Sequence, residues 1–438
     1  MMNHITGIAL ASAIIFALTP GTLTAGESPQ LAAEATTISP AEKELTDWIA
    51  AQQDAMIKDL AEIVEINSGT LNVDGINKVR DILNQELAAL GFQTRTVAGG
   101  EVTSLTCKGG DVQFADHLIA TLNTGESRKL LLNGHLDTVF PEDSRFQHLL
   151  IDGDTLKGPG VSDMKGGLIA MLYALKALHD KGLLANVRLT VLLNSDEEMG
   201  SLGSRPLIEK LARQHDLGLV FEGSSQNRMT RHRKGLGQAR LRVTGRASHA
   251  GNAHEEGVSA IHELSHKIVE IEKLTDYDQQ TTVNVGLVQG GEARNTISPC
   301  AEAYVDLRYP NNDLGNRLVT EIKRIAAIKH TRNTHIGQSP ETETWVKLHR
   351  PAKPIHPESD AIISAAMGIS AALGQTLGSR YSGGGTDGSI MQSVGLPTAD
   401  SLGPDGEGDH SPREESSISS LMIRTKMNAV LLSRLIQD

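Results

Sequence analysis

The stretch Gly158-Pro159-Gly160-Val161-Ser162-Asp163-Met164-Lys165-Gly166-Gly167 decides how this chain is read. Its glycines suit a tight loop in which the backbone comes close to other groups. Directly after it, Leu168, Ile169, Met171, Leu172, Leu175 and Leu178 recur at helical spacing. The stretch therefore predicts a loop that opens a helix, with Ser162 or Asp163 as the capping residue. Taken alone, Asp163 is no more than that cap. What lies on either side of it changes the reading.

Short apolar runs over 129–133, 187–193 and 217–221 alternate with helical patterns, the one after Asp163 and another over 204–214. Continuous apolar strands between amphipathic helices predict a mainly parallel sheet with helices on both faces. Upstream, helical periodicity covers 42–66 and again 76–90, where Gly91 stops it. After Gly223 the pattern changes. Residues 238–243, 281–288 and 300–309 alternate as half-exposed strands, and helices are expected over 257–274 and 316–328. From Pro354 the first pattern resumes with a helix over 359–373, a glycine loop at 383–385, a strand over 396–401 and a helix over 418–436. The expected fold class is an α/β domain, residues 41–232 and 348–438, interrupted by a smaller α+β domain at 233–347. Residues 231–234 and 346–350 are the hinge candidates between them.

Composition bounds the function. A chain of 438 residues, 39% hydrophobic and 21% charged, is long enough for two or three domains with real cores. A formal net charge of -12 argues against tracking nucleic-acid phosphates, so no nucleic-acid partner is expected. The apolar run from Ile5 to Leu18, followed by Pro20, Gly21 and small residues, reads as a secretory signal peptide over 1–25. It is too short to anchor the chain in a membrane, so a secreted, periplasmic location is expected. Cys107 and Cys300 are the only cysteines; they read as two unrelated thiols, and they cannot build an all-thiolate zinc site.

Four groups of chemistry-bearing residues follow predicted strands, where open parallel sheets place their sites. His135 and Asp137, in Gly134-His135-Leu136-Asp137-Thr138-Val139, are two apart and share one side of an extended segment. Asp163 is the second. Asp196, Glu197 and Glu198 follow the 187–193 strand; three adjacent carboxylates repel one another unless cations are near. Glu222 follows the 217–221 strand, and His410 lies in a Gly-Asp-His-Ser-Pro segment near the end. Each alone has a bland reading as a solvated loop residue. Together they offer mixed imidazole and carboxylate ligands suited to zinc, with manganese or cobalt as substitutes.

The blocks Gly-His-Leu-Asp-Thr-Val, Gly-Val-Ser-Asp-Met-Lys-Gly and Asp-Glu-Glu-Met-Gly-Ser, in this order, resemble the dizinc peptidase and amidohydrolase family of glutamate carboxypeptidase, aminoacylase, succinyl-diaminopimelate desuccinylase and peptidase T. The resemblance implies two zinc ions per subunit. His135, Asp163 and Glu222 would hold one, and Asp163, Glu198 and His410 the other, with Asp163 bridging. Asp137 would orient His135, and Glu197 would be the general base acting on the metal-bound water. Gly245-Arg246-Ala247-Ser248-His249-Ala250-Gly251 resembles the family motif whose histidine, here His249, reaches into a partner subunit. A homodimer through the inserted domain is the implied assembly.

Asn295 and Arg308 resemble positions that line the family's substrate cleft. Glu222, Arg350-Pro351 and Ser382-Gly383-Gly384-Gly385-Thr386-Asp387 carry a likeness to folate-cleaving glutamate carboxypeptidases. Arg350 would then bind a substrate carboxylate bidentately, helped by the amides of Gly384 and Gly385; its bland reading is a salt bridge at the hinge. The lysine those enzymes use for the glutamate side chain stands here as Thr230, with Arg228 and Arg231 as substitutes nearby. The expected activity is a secreted zinc carboxypeptidase that cuts the amide before a C-terminal amino acid, glutamate first. An N-acyl amino-acid deacylase or dipeptidase is the alternative on the same scaffold. A binding protein without catalysis is the rival from another class.

Overall fold

The computed structural model describes residues 37–103 and 111–437. The expected leader over 1–25 and Cys107 lie outside them. The described residues open with helix α1 (Pro40–Ala50), whose start is a reciprocal box: Ser39 Oγ accepts from Glu42 N–H, and the Glu42 carboxylate accepts from Ser39 N–H. Helix α2 (Gln53–Val64) follows after a break at Ala51 and Gln52, so the helix expected over 42–66 is two helices. No glycine or proline marks that break. Helix α3 (Val73–Ala89) ends where Gly91 adopts a φ of 87°.

A six-stranded sheet forms the centre of the larger unit. Its strands are β1 (Gln93–Val97), β2 (His117–Asn123), β3 (Lys129–His135), β4 (Arg188–Asn194), β5 (Leu217–Val220) and β10 (Thr398–Ala399), in the order β1-β2-β4-β3-β5-β10. The pairs β4–β3, β3–β5 and β5–β10 are parallel, and β1 and β2 add an antiparallel edge. Strand β3 is central, with β4 on one side and β5 on the other. The order in which strands are added therefore reverses at β3, while the strands stay parallel, and the crevice at its carboxyl end is where such sheets bind ligands.

Helix α4 (Lys165–Asp180) is buried along most of its length by Leu168, Ile169, Met171, Leu172 and Leu175. Its N-cap is Met164, and no side chain caps it. The expectation that Ser162 or Asp163 caps the helix is thus corrected: the Asp163 carboxylate faces two imidazoles instead. Gly167 explains how the helix start comes so close to β5. A Cβ there would sit 1.8 Å from the carbonyl oxygen of Phe221, so any larger residue would push Asp163 away from Glu222.

The remaining helices of this unit are α5 (Arg205–Ala212), α8 (Pro357–Ala372), α9 (Asp387–Ser393) and α10 (Ile418–Leu435). Helix α10 packs against α4, α1 and α8 and buries Leu421, Met427, Val430, Leu431 and Leu435. Arg434 near its end pairs with Glu42 of α1 at 2.6 Å.

A second sheet is fully antiparallel. Its strands β6 (Gly235–Thr244), β7 (Thr282–Gly290), β8 (Cys300–Tyr309) and β9 (Glu341–Arg350) lie in the order β7-β8-β6-β9. Helices α6 (Ala260–Glu272) and α7 (Asn312–Ala327) cover one face, and Leu241, Val243, Leu264, Ala303, Leu307 and Ile322 form a core of its own. Strand β9 runs on to Arg350, which places that residue where the two units meet.

Candidate metal centre

The carboxyl ends of β3, β4 and β5 bring His135, Glu197 with Glu198, and Glu222 to the same place, and the loop before α4 adds Asp163. Asp163 sits between two imidazoles: Oδ1 is 3.1 Å from His135 Nε2 and Oδ2 is 3.1 Å from His410 Nε2. On one side His135 Nε2 is also 3.6 Å from Glu222 Oε1; on the other, His410 Nε2 is 3.3 Å from Glu198 Oε2. Two sets of three donors thus share one carboxylate. His410 has a φ of 61°, a left-handed conformation uncommon outside glycine and frequent at functional sites.

Around these donors stands a supporting layer. His135 Nδ1–H donates to the Asp137 carbonyl at 3.0 Å and faces Asp137 Oδ1 at 3.3 Å, which directs Nε2 toward Asp163 and Glu222. The fully buried Asp137 carboxylate also accepts from Thr70 Oγ1, Glu197 N–H and Glu198 N–H, so one residue fixes the first histidine and both glutamates. Glu414, buried beneath the loop, accepts from the backbone N–H groups of Gly160, Ser162 and Asp163. Thr70 and Glu414 escaped the sequence reading. Only the closeness of Glu414 to His410 in the chain hinted at it.

The electrostatics follow from crowding carboxylates in a buried space. Burial pushes Glu198 up to about 8, with the Asp163 charge adding to it. Burial likewise raises Glu222 and Glu197, against the pull of nearby cationic groups. Asp163 goes the other way: burial opposes its ionisation, but hydrogen bonds from His135 and His410 outweigh it. Hydrogen bonds to Asp163 and Glu198 raise His410 to about 11. For His135, burial alone would lower the imidazole, yet Glu222, Asp137 and Asp163 together hold it well above its usual range. This surplus of negative charge is what paired divalent cations would neutralise. The donor chemistry fits them: imidazole and carboxylate together suit zinc, and Glu198 Oε1 is buried with no hydrogen-bond partner.

A cleft of about 490 Å³ opens beside the cluster, bounded by Glu197, Glu198 and His410 on one wall and by β6, β8 and β9 on the other. Arg308, Lys347, Arg350, Gly384 and Gly385 line it. Arg350 differs from the expected carboxylate anchor. Its guanidinium is buried and pairs with Glu197 Oε1 at 2.6 Å and Asp387 Oδ1 at 3.1 Å, the hinge salt bridge of the alternative reading. A Cβ on Gly385 would lie 2.6 Å from Arg350 Cδ, so the glycine loop is what lets this arginine through. Arg308 pairs with Asp306 and donates to the Gly383 carbonyl. Gly384 N–H is taken by Ser382 Oγ. Arg231 is held by Asp360 and Ser364, and neither Arg228 nor Arg231 lines the cleft.

His249 and Asn295 lie together but apart from the cluster. Residue 249 bridges to Thr296, and Ala250 N–H donates to the Asn295 carbonyl. His249 is exposed, and its Nδ1 accepts from Gly251 and Asn252 N–H, which leaves the ring proton on Nε2. Among the described residues, no hydrogen bond or ion pair links either residue to the carboxylate cluster.

Strand-end histidines and carboxylates, one aspartate shared between two donor sets, and an adjoining cleft define a metal-dependent hydrolase. The chain belongs to peptidase family M20/M25/M40, whose model matches residues 131–434. It is 31% identical to Carboxypeptidase G2 of Pseudomonas sp. (strain RS-16) over 387 residues, 87% of this chain and 89% of that protein. It is 30% identical to acetylornithine deacetylase of Pasteurella multocida over 248 residues, 53% of this chain and 61% of that one. Among solved structures, a tripeptidase from Staphylococcus aureus shares the fold with a TM-score of 0.71 at 24% identity, covering 88% of this chain and 99% of that one. This protein is therefore a hydrolase of peptide or amide bonds.

Proposed function

We propose that the protein is an exported carboxypeptidase that holds two zinc ions, removes a C-terminal amino acid, glutamate by preference, and works as a homodimer through its antiparallel sheet. The observation that carries this reading is Asp163, one carboxylate oxygen facing His135 and the other His410, with Glu222 and Glu198 completing the two sets. His135, Asp163 and Glu222 would hold one ion; Asp163, Glu198 and His410 the other. When bound, paired divalent cations supply Lewis-acid polarisation of the amide carbonyl and make water more acidic. Glu197 sits among these donors without belonging to the bridging set, and it acts as the base. It takes the proton from the attacking water and returns it to the leaving amine. Burial raises its affinity for a proton, against the pull of Arg350, and so favours its taking one from water.

Substrate preference is read from the cleft. Its lining cations are Arg308, Lys347 and Arg350, and Arg350 is already paired with two carboxylates. Lys347 on β9 would receive an acidic group of a C-terminal glutamate, with Arg308 on β8 beside it once its guanidinium is shared between Asp306 and the substrate. His249 offers an Nε2–H donor, and a second subunit is the means of bringing it to the developing oxyanion. Among the described residues no helix is long and apolar enough to cross a membrane. The likeness to acetylornithine deacetylase favours N-acyl amino-acid deacylation as the second reading.

The deciding experiment supplies purified protein and zinc with two panels, N-acylated glutamates and N-acetyl amino acids, and quantifies the products. Release of glutamate from several acyl groups supports the proposal. Release of acetate from acetylated amino acids with no preference for glutamate moves the protein to the second reading.

A further inference from the structure

Away from the catalytic cleft, five of the sixteen histidines surround one surface cavity of about 730 Å³: His254, His262, His266, His330 and His335. His262 and His266 stand one turn apart on the solvent face of α6, both exposed. Their Nε2 atoms are 3.3 Å apart, and their rings meet at 45°. That separation matches the edge of a tetrahedron with Zn–N bonds of about 2.0–2.1 Å, which is about 3.3 Å. The pair already has the bite of a chelate.

The opposite face of α6 explains why the pair is held firmly. Glu263 and Lys267, each next in sequence to one of these histidines, are fully buried and form an ion pair at 3.0 Å. Glu263 accepts from His330 N–H at 3.0 Å and Thr331 N–H at 2.7 Å. Lys267 donates to the carbonyls of Ala326 and Ile328. The segment after α7 is thereby pinned to α6. Its His330 ring lies nearly parallel to that of His266, with centroids 5.5 Å apart and planes 13° apart. His330 Nε2 is buried and has no hydrogen-bond partner. A site whose donors rest on pinned backbone and stacked rings is arranged before its ligand arrives.

We infer that His262 and His266, backed by His330, bind a divalent transition-metal ion of the nickel, copper or zinc type at a site separate from the catalytic cluster. Imidazole nitrogens select this class over magnesium or calcium. Two ring nitrogens supply the chelate, water completes the coordination, and His330 positions the His266 ring. None of the three lines the catalytic cleft.

The test counts metal. Wild type, H262A, H266A and the double variant are stripped with chelator and dialysed against Ni²⁺, and bound nickel is measured by elemental analysis. Ions at the catalytic cluster are common to all four and cancel. The double variant should hold one nickel ion fewer per chain, and each single variant should lose that ion too, because one imidazole cannot chelate. Zinc-supported hydrolysis should stay at the wild-type rate. Thermal unfolding of each stripped variant at the wild-type temperature shows that it folds, and the single variants carry the test if the double one does not. Equal nickel in wild type and variants, with the two histidines merely sharing a proton or covered by a second copy of the chain, overturns the inference.

Discussion

Replacing Glu414 by alanine should loosen the metal centre without touching a metal ligand. Its carboxylate accepts from Gly160 N–H at 3.1 Å, Ser162 N–H at 3.0 Å and Asp163 N–H at 3.0 Å, in a buried space. Alanine leaves three donors unpaired, at about 2 kcal/mol each. Against this stands the charge that no longer has to be buried. Burial pushes Glu414 up to about 7 from 4.5, a shift that corresponds to about 3 kcal/mol. The net loss of stability is about 3 kcal/mol. The loop presenting Asp163 would lose its fixed position, and zinc affinity should fall about 10–100-fold, as for other residues that orient ligands. Glu414→Gln keeps an acceptor for Ser162 and Asp163 and should fall between the two proteins. Denaturant unfolding gives the first quantity and competition with a chelating dye the second. An alanine variant with the wild-type unfolding midpoint and zinc affinity would refute the idea that Glu414 holds this loop.

Glu197→Gln should reduce turnover about 10²–10⁴-fold, the usual contribution of a general base, while zinc content measured by elemental analysis stays at the wild-type value. A parallel loss of metal would make Glu197 a ligand instead. Mixing Glu197→Gln with His249→Ala subunits should restore part of the activity, because one site in each heterodimer would then be intact; no recovery after confirmed subunit exchange counts against a shared site. Lys353 is fully buried, its Nζ has no hydrogen-bond partner, and burial lowers it from 10.5 to about 8. In the wild type, the unfolded chain binds the extra proton between pH 8 and 10.5, so stability rises with pH across that window. Lys353→Met removes this term. The variant should be more stable by about 1–3 kcal/mol below pH 8, with the advantage vanishing toward pH 10.5. Urea unfolding at pH 7 and pH 10 measures both limbs, and an advantage independent of pH would refute it.

Much of the site could be read in the sequence because its residues sit where apolar strands stop. His135, Glu197, Glu198 and Glu222 each follow a continuous apolar run, and such runs are legible without tertiary information. Strand β1, Gln-Thr-Arg-Thr-Val, has no such run: it lies at a sheet edge, and its propensity is set by its neighbour β2. Strand β9 was also missed, because its alternation of Thr, Glu and Lys carries little apolar signal. Arg350 could be named but not placed. Whether a guanidinium meets a substrate or an internal carboxylate depends on Glu197 and Asp387, 153 and 37 residues away in sequence. The supporting groups Thr70 and Glu414 were hidden for the same reason, since a side chain that accepts or donates across the fold leaves no local pattern.

Helix α10 has a consequence for how the protein comes to be made. It covers α4, yet some 240 residues separate the two in the chain. Loop closure over such a span is slow. During synthesis, α4 therefore emerges from the ribosome long before residues 418–435, the segment that packs most extensively against it, leaving part of its Leu, Ile and Met surface without that cover. A chain stopped short of that point would carry an adhesive surface with no means of hiding it, and a chaperone is the natural guardian of that interval.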